Sequence, residues 1–502
     1  MKISKYLMLF AVAGSLLTGC SSDDDGSGVT EKPVVEPPIT GENPEDNLEL
    51  EIKDFVWRGM NEIYVYKSQV PELGNSFFDT QSELNDYLMT FDSPEDLFYD
   101  GLVIEQDRFS FITDDYIALE NSFAGISETT GVDFRLYRFS GSDDLFGVVR
   151  YIIPGSNAEN ADIERGDLFT TLNGQALTIA NYRGLLEETT LTFGLATIED
   201  NTVTSTGEEV TIDTQVLTEN PILVTNVLDV NGTKVGYMLY NSFVADFDDE
   251  MNAAFADFKA EGITELILDL RYNGGGRVSS ATRLASMITG QFTGEIFAKQ
   301  QWNEDYQNYF LNEDPDRLLN RFTTTLEGGE AINSLNLTRL YAIVSSSTAS
   351  ASELVVNGLA PYIDVVTVGD QTVGKSQASV TLYDSSNFGR TGANPDHTYA
   401  IQPLVYESVN SNDVGVPFDG ITPDTEIVES ISDLGVLGEA SDPLLNAALN
   451  VIAGNRSMIS SQKEYWYNEF SESGVQKATY QKMYIDELPE IPGQNKRFEF
   501  SK

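Results

Sequence analysis

The chain has 502 residues, enough for about two to four domains, and its 41% hydrophobic and 11% aromatic content supports sizeable cores rather than global disorder. Its 79 acidic residues outweigh 30 basic ones, and the formal net charge of -49 repels phosphate backbones, which excludes nucleic acid as a natural partner. One cysteine, Cys20, and one histidine, His397, leave no intrachain disulfide and no thiolate or His-rich metal site, and they allow a Ser-His-Asp triad only through His397.

Lys2 and Lys5 precede an apolar run, Tyr6 to Leu17, too short to span a bilayer and fitting a secretory signal. The run ends in Leu17-Thr18-Gly19-Cys20, which resembles a bacterial lipobox. That resemblance implies cleavage before Cys20 and lipidation of it, hence a membrane anchor. The acidic run Ser21-Ser22-Asp23-Asp24-Asp25 resembles a surface-export signal of Bacteroidetes lipoproteins, and it reads equally well as a solvated linker. Residues 21–47 are acidic and rich in Pro and Gly, the composition of an extended tether.

Residues 48–122 show helical spacing, with Phe55, Val56, Met60, Ile63 and Tyr64 on one stripe and a second pattern from Ser82 to Phe91. Residues 125–217 read as β-rich, with strands at Val132–Tyr137 and Phe146–Ile153. A short helix through Ala158–Ala161, a Gly166-Asp167 turn, a strand and an Asn173-Gly174 hairpin follow. This order resembles a PDZ domain. It implies a groove that receives a polypeptide tail as an added strand, with a carboxylate loop near Gly125–Phe134 that lacks the clean glycine–apolar–glycine pattern.

Residues 220–455 read as α/β. Strands Leu223–Val230 and Val235–Tyr240 join across Asn231-Gly232, and a helix carries Phe247, Met251, Phe255 and Phe258 on one face. A buried strand Glu265–Leu270, a helix Val278–Thr289, a strand Leu340–Val344, a helix Ala351–Leu359 and a strand Asp364–Val368 come next. Residues 456–502 are polar and aromatic and read as an extension that packs on the body.

Three segments of this region carry possible chemistry. Asp269-Leu270-Arg271-Tyr272-Asn273-Gly274-Gly275-Gly276 follows a buried strand, and its glycines allow close backbone approach to a substrate. It is not a phosphate cradle, because no Lys-Ser or Lys-Thr pair follows. Ser347-Thr348-Ala349-Ser350-Ala351-Ser352-Glu353 lies at a strand-to-helix turn, where free N–H groups face a developing oxyanion. Taken alone it also reads as a cap, with Glu353 closing a capping box. Gly374-Lys375 comes 25 residues after Ser350, and a lone lysine is ordinarily a solvated cation.

In this order and spacing, with Gly420-Ile421-Thr422-Pro423-Asp424 later, the three segments resemble the carboxy-terminal processing (tail-specific) peptidase family over residues 105–430. The resemblance implies a multidomain α/β protein with an N-terminal helical region, a PDZ-like domain and a crotonase/ClpP-like peptidase core. It makes Ser350 the nucleophile, Lys375 its base, and the backbone N–H groups of Ala351 and Gly275 the oxyanion donors. It calls for no metal and no organic cofactor, and it implies polypeptide tails as substrate.

A free lysine titrates near pH ~10.4, so a neutral amine at pH 7 costs about 4 kcal/mol. Val366, Val368 and Val373 are the expected source of that desolvation. Several family members place a glutamine four residues after the lysine; here Ser379 holds that place and Gln377 lies two residues early, so either is a candidate orienting group. Inserted residues between Gly290 and Leu335 are expected to shape or cover the substrate tunnel. Arg271 reads as a structural ion pair and His397 as a surface residue.

The expected activity is a lipid-anchored endopeptidase of the cell envelope, in the outer membrane. Two alternatives stay open: a non-catalytic tail-binding lipoprotein with the same fold, and a crotonase-like acyl-transfer enzyme.

Overall fold

Leu266–Leu268, Leu340–Val344 and Val365–Val368 are unbroken apolar runs, the pattern of strands buried on both faces of a parallel sheet. In the computed structural model, which describes residues 44–455, 466–477, 479–489 and 491, these runs are the strands Glu265–Asp269, Arg339–Val344 and Asp364–Gly369. They lie side by side and parallel, with Arg339–Val344 in the middle. The expected signal segment, Cys20 and most of the tether lie outside the described residues.

The parallel arrangement has a direct consequence. The glycine turn, the serine segment and the lysine segment each follow one of these three strands, so all three emerge at the same carboxyl edge of the sheet. Crevices at such edges are where open α/β sheets bind ligands.

Among the described residues this sheet has six strands: Ile222–Val230, Thr233–Tyr240, Glu265–Asp269, Arg339–Val344, Asp364–Gly369 and Thr425–Glu426. The first two form an antiparallel hairpin whose turn residues Asn231 and Gly232 have φ of 54° and 88°, as a type I′ turn requires. Val235, Tyr237, Leu239, Ile267, Tyr341, Ile343 and Val368 pack against Leu444, Leu445, Ala447 and Ala448 of the helix Pro443–Ile452. The alternate residues Leu266, Leu268, Leu340 and Ala342 are buried too, so both faces are covered. The helices Asp248–Glu261, Val278–Thr289 and Ala351–Leu359 pack on one another in chain order. Phe247 caps the first of these rather than lying on its apolar face. Met251, Phe255 and Phe258 make up the buried stripe.

Residues 126–218 form the β-rich part. A sheet runs Val132–Phe139, Leu145–Ile152, Leu168–Leu172, Thr190–Glu199 and Thr202–Asp213. One face is built on Phe134, Leu136, Phe169, Leu172 and Phe193, and the other packs Tyr137, Phe146 and Leu168 against Ile431 and Leu434. The expected short helix at Ala158–Ala161 is a single 3-10 turn, Asn157–Asn160. The expected carboxylate loop is mostly strand: Ile126–Thr129 pairs with Gln215–Thr218, leaving Thr130 and Gly131 as the turn.

The N-terminal helical region opens with Pro44–Ile63, so the helix takes the last residues assigned to the tether, and proline is well placed at a helix start. Phe55, Val56, Met60, Ile63 and Tyr64 are buried, and Gly59 lets the helix approach Ile401 closely. Gln81–Leu88 follows, capped by the Thr80 hydroxyl. Among the described residues no helix is long and apolar enough to cross a membrane.

A second six-stranded sheet contains most of the rest. Its order is Gly276–Arg277, Met483–Ile485, Gln377–Val380, Leu404–Asn410, Ile296–Trp302 and Leu319–Arg321. The inserted residues after Gly290 thus form two of its strands and the helix Glu304–Glu313. The C-terminal extension does more than pack on the surface. Tyr467–Glu472 adds an edge strand to Val132–Phe139, and Met483–Ile485 inserts between Gly276–Arg277 and Gln377–Val380 in the second sheet.

Candidate active site

Ser350 stands at the junction between Arg339–Val344 and the helix Ala351–Leu359, with φ 65° and ψ −114°. A non-glycine residue in this region stores about 1–3 kcal/mol of strain, and such strain concentrates at functional positions. The surrounding hydroxyls are all committed. Ser346 Oγ donates to Glu469 Oε2 at 2.7 Å, Ser347 Oγ to Glu472 Oε2 at 2.7 Å, Thr348 Oγ1 to the Leu270 carbonyl at 2.8 Å and Ser352 Oγ to the Asn273 carbonyl at 3.1 Å. Ser345 Oγ donates to the Arg271 carbonyl. Ser350 Oγ is buried and has no hydrogen-bond partner among the described residues.

Another uncommitted group is the amine of Lys375, also fully buried and without a hydrogen-bond partner among the described residues. Burial lowers its pKa well below the ordinary lysine value, and the nearby Lys482 cation lowers it further, against opposing pulls from Asp107 and Glu353. The apolar group against the amine is the Phe109 ring, 4.7 Å away. The expected valines do not supply it: Val366 and Val368 share one side of their strand and pack toward Pro443–Ile452, and Val373 is only half buried.

Glu353 connects the two segments. Its Oε2 accepts from the backbone N–H of Ser350 at 2.7 Å and from that of Lys375 at 2.9 Å. Its Oε1 accepts from Thr372 Oγ1 at 2.5 Å and from Gly374 N at 2.8 Å. Burial raises the pKa of this carboxyl, and the four donors pull in the opposite direction without cancelling the rise. The Glu353 half of the capping box expected from the sequence, its carboxylate on the Ser350 N–H, is half of this arrangement. The other half, the hold on the lysine loop, comes from residues 19 to 22 positions away and leaves no local signal.

The glycine turn packs beside the serine. Gly275 has φ 112°, and a Cβ there would lie 2.8 Å from Ser350 Cβ and 2.7 Å from the Lys482 carbonyl oxygen. Its N–H donates to Asn273 Oδ1 at 2.8 Å, so as an oxyanion donor it is engaged by a side chain. Asn273 also donates to the Tyr240 carbonyl and accepts from Ala349 N, which fixes the turn against the serine loop. Ala351 opens the adjacent helix.

The remaining candidates fall elsewhere. Gln377 reaches Glu407 at 3.4 Å; Ser379 Oγ donates to the Met483 carbonyl and accepts from Gln402. Neither bonds Lys375. Arg271 is fully buried between Asp269, Asp442 and Glu429, the structural ion pair expected. His397 is not a surface residue: its ring is 5% exposed, Nδ1 accepts from Tyr399 N, and Nε2 meets Asp384 at 3.0 Å. Both ring nitrogens are thereby used, which leaves it no part in a triad. Among the described residues no group of acidic, His or Cys side chains is placed to hold a metal.

Two further contacts bear on the site. Arg108 donates to the Gly374 and Phe418 carbonyls, holding the Phe109 segment over the lysine loop. Arg135 and Arg150 of the β-rich part meet Ser347 and Glu472, and the latter carboxyl is held far below the ordinary range by these guanidiniums, which outweigh its burial.

Residues 234–427 match the family model for Peptidase family S41, and residues 51–111 match that for the Peptidase S41 N-terminal domain. The chain is 26% identical over 359 residues to the C-terminal processing peptidase, chloroplastic, of Tetradesmus obliquus, covering 67% of this chain and 71% of that protein. It is 24% identical over 410 residues to the carboxyl-terminal-processing protease of a Picosynechococcus strain, covering 80% and 89%. Among solved structures, a Bacteroides fragilis protein assigned to the S41 proteases superposes with a TM-score of 0.63 at 25% identity, covering 80% of this chain and 98% of that one.

Proposed function

We propose how this chain, which belongs to peptidase family S41 and is a serine peptidase, carries out its reaction: Ser350 is the nucleophile and Lys375 its general base, and the substrate is a polypeptide cut near its carboxy end. Ser350 Oγ adds to the peptide carbonyl carbon while Lys375 Nζ takes its proton. The C–N bond then breaks, and the same amine returns the proton to the departing nitrogen. Water, deprotonated by Lys375, releases the acyl group from Ser350 and regenerates both groups.

The observation that carries this reading is the shared anchor. One carboxylate oxygen, Glu353 Oε2, holds the backbone N–H of both Ser350 and Lys375, while their side chains are the uncommitted hydroxyl and the uncommitted amine of that corner. The positive φ of Ser350 and the depressed basicity of Lys375 are the features such a pair needs. The N–H of Ala351, at the helix start, is the proposed first oxyanion donor. Gly275 is the second, once Asn273 releases its N–H. Lys375 acts without an orienting partner from Gln377 or Ser379.

The β-rich part, read as PDZ-like, is proposed to engage the substrate tail. A cleft of about 480 Å³ supports this, lined by Ile126–Thr130, Val132 and Phe134 on one side and by Leu186 and Leu191 on the other. A crotonase/ClpP-like core and an outer-membrane anchor through Cys20 complete the proposal. A fluorophosphonate probe tests its centre. Labelling is expected to vanish in Ser350→Ala and persist in Ser352→Ala, whose hydroxyl is already committed. Labelling retained in Ser350→Ala overturns the assignment.

A further inference from the structure

The described C-terminal segment runs through the corner that holds Ser350. Met483–Ile485 lies parallel to both of its neighbours: Met483 pairs with Gly276, Tyr484 with Arg277 and Ser379, and Ile485 with Val380. One neighbour continues the glycine turn, and the other follows Lys375 almost at once. Among the described residues these two strands are joined through the segment between them. A pair of sheet edges flanking a nucleophile and a base is an arrangement that receives an extended peptide as an added strand.

The fit of the segment is close. The Lys482 carbonyl oxygen and Ser350 Cβ lie 2.7 and 2.8 Å from the same point, the position a Cβ on Gly275 would take. A peptide carbonyl of the tail therefore sits beside the nucleophile, in space that only glycine leaves open. Met483 is fully buried and Tyr484 nearly so. The Lys482 amine donates to the Phe109 carbonyl at 2.6 Å and sits 4.6 Å from the Phe111 ring. Ser379 Oγ holds the Met483 carbonyl at 3.1 Å. The Gly275 N–H, however, points to Asn273 rather than to the tail. The seated carbonyl lacks that oxyanion donor, which makes this an inhibitory seat rather than a cutting one.

We propose that residues Gln481–Asp486 are an intrachain occupant of the peptide channel, competing with substrate, and that their seat displays the ligand class the channel takes: an extended peptide with a basic residue beside Ser350 followed by apolar residues. The proposal rests on the peptidase reading for its consequence on activity, whereas the seat itself is a statement about binding.

The test uses the full chain with Cys20→Ser and the pair Val380→Cys and Ile485→Cys, whose parallel registry places the new thiols side by side, and, separately, Met483→Glu, which puts a carboxylate where a buried methionine sits. Two readouts are followed: fluorophosphonate labelling of Ser350, and trypsin cleavage after Lys482 by mass spectrometry. The oxidised staple is expected to block both, and reduction to restore them to the wild-type rates. Met483→Glu is expected to raise labelling ~10-fold or more over wild type, the gain when an occupant present nine-tenths of the time leaves. Labelling that occurs at the same rate in the oxidised and reduced staple overturns the proposal. So does a Met483→Glu chain that trypsin cuts freely but that labels no faster than wild type. If no form labels while the trypsin arms behave as expected, the tail seat stands and the peptidase reading of Ser350 falls.

Discussion

Glu353→Gln is the sharpest test of the site because it replaces one carboxylate oxygen by an NH2 group and changes little else. In the native arrangement both carboxylate oxygens only accept, and four donors converge on them. A carboxamide keeps one acceptor and turns the other into a donor. If its oxygen stays with Thr372 and Gly374, its NH2 faces the N–H groups of Ser350 and Lys375, and the flipped amide meets the same conflict on the other side. Two charge-assisted bonds are lost at about 1.5–3 kcal/mol each, partly offset because a buried neutral amide no longer carries the desolvation that raises the Glu353 pKa. The net expected loss is about 2–4 kcal/mol of stability by urea denaturation. The catalytic loss should be larger in proportion. Releasing the two loops lets Ser350 and Lys375 drift by roughly 1 Å, a displacement that costs about 10²-fold in turnover. Peptide hydrolysis and fluorophosphonate labelling should therefore both fall while the circular dichroism spectrum is unchanged. A variant within about 0.5 kcal/mol of wild type, labelling at the wild-type rate, would refute the shared anchor.

Other outcomes follow from individual contacts. Lys375→Met should abolish hydrolysis and stabilise the fold. Its folded pKa is lowered by burial and by Lys482, so the native lysine costs stability increasingly as pH falls below the unfolded value of 10.5. The rise in thermal midpoint should accordingly be larger at pH 7 than at pH 10.5. Arg271→Met should destabilise by about 3–5 kcal/mol in urea titrations, because it leaves Asp269 and Asp442 buried without their cation. Glu429→Gln tests the acid limb. Burial raises this carboxyl, but Arg165 and Arg271 outweigh it and bring the pKa to about 2 from 4.5. Its contribution is present above pH 4.5 and fades toward pH 2, so the stability gap between wild type and variant should close over that range.

The parts of the molecule that were legible in the sequence are those whose cause is local. The apolar runs Leu266–Leu268 and Leu340–Val344 announce buried strands, Asn231-Gly232 and Asn173-Gly174 announce type I′ turns, and Gly262, at φ 70°, stops a helix whose buried residues repeat at helical spacing. What stayed hidden depends on contacts distant along the chain. Phe109 reaches Lys375 from 266 positions upstream, and nothing near Lys375 marks it. Val366 and Val368 look like natural neighbours of the lysine, yet strand alternation aims both into another core. Met483–Ile485 is three residues long, too short for any period to show, and the expectation of a packed extension missed that it completes a sheet. His397 read as a surface turn because its partners, Asp384 and Tyr399, organise it through tertiary and turn contacts that composition does not signal.

In the proposed mechanism, the same long-range contacts make the basicity of Lys375 depend on what fills the proposed channel. Two segments bear on the Lys375 amine: the Phe109 ring, held by Arg108, lies against it, and the tail brings the Lys482 cation close enough to lower its pKa. When the tail leaves, one wall is replaced by water. Hydration favours the ammonium form, whereas removal of the Lys482 cation also favours it, so both changes raise the pKa of Lys375. A bound substrate strand restores the desolvation without restoring that cation unless it carries one at the same place. The free, open enzyme should therefore hold a more basic, protonated lysine than the substrate complex. In Met483→Glu the alkaline-rising limb of kcat/KM, which reports the free enzyme, should lie at higher pH than the limb of kcat, which reports the complex. Peptides with a basic residue at the Lys482 position should shift the kcat limb to still lower pH than peptides with a neutral one. Coincident limbs across both peptide types would mean that Lys375 is desolvated by the body of the protein alone, and the channel would then play no part in setting its basicity.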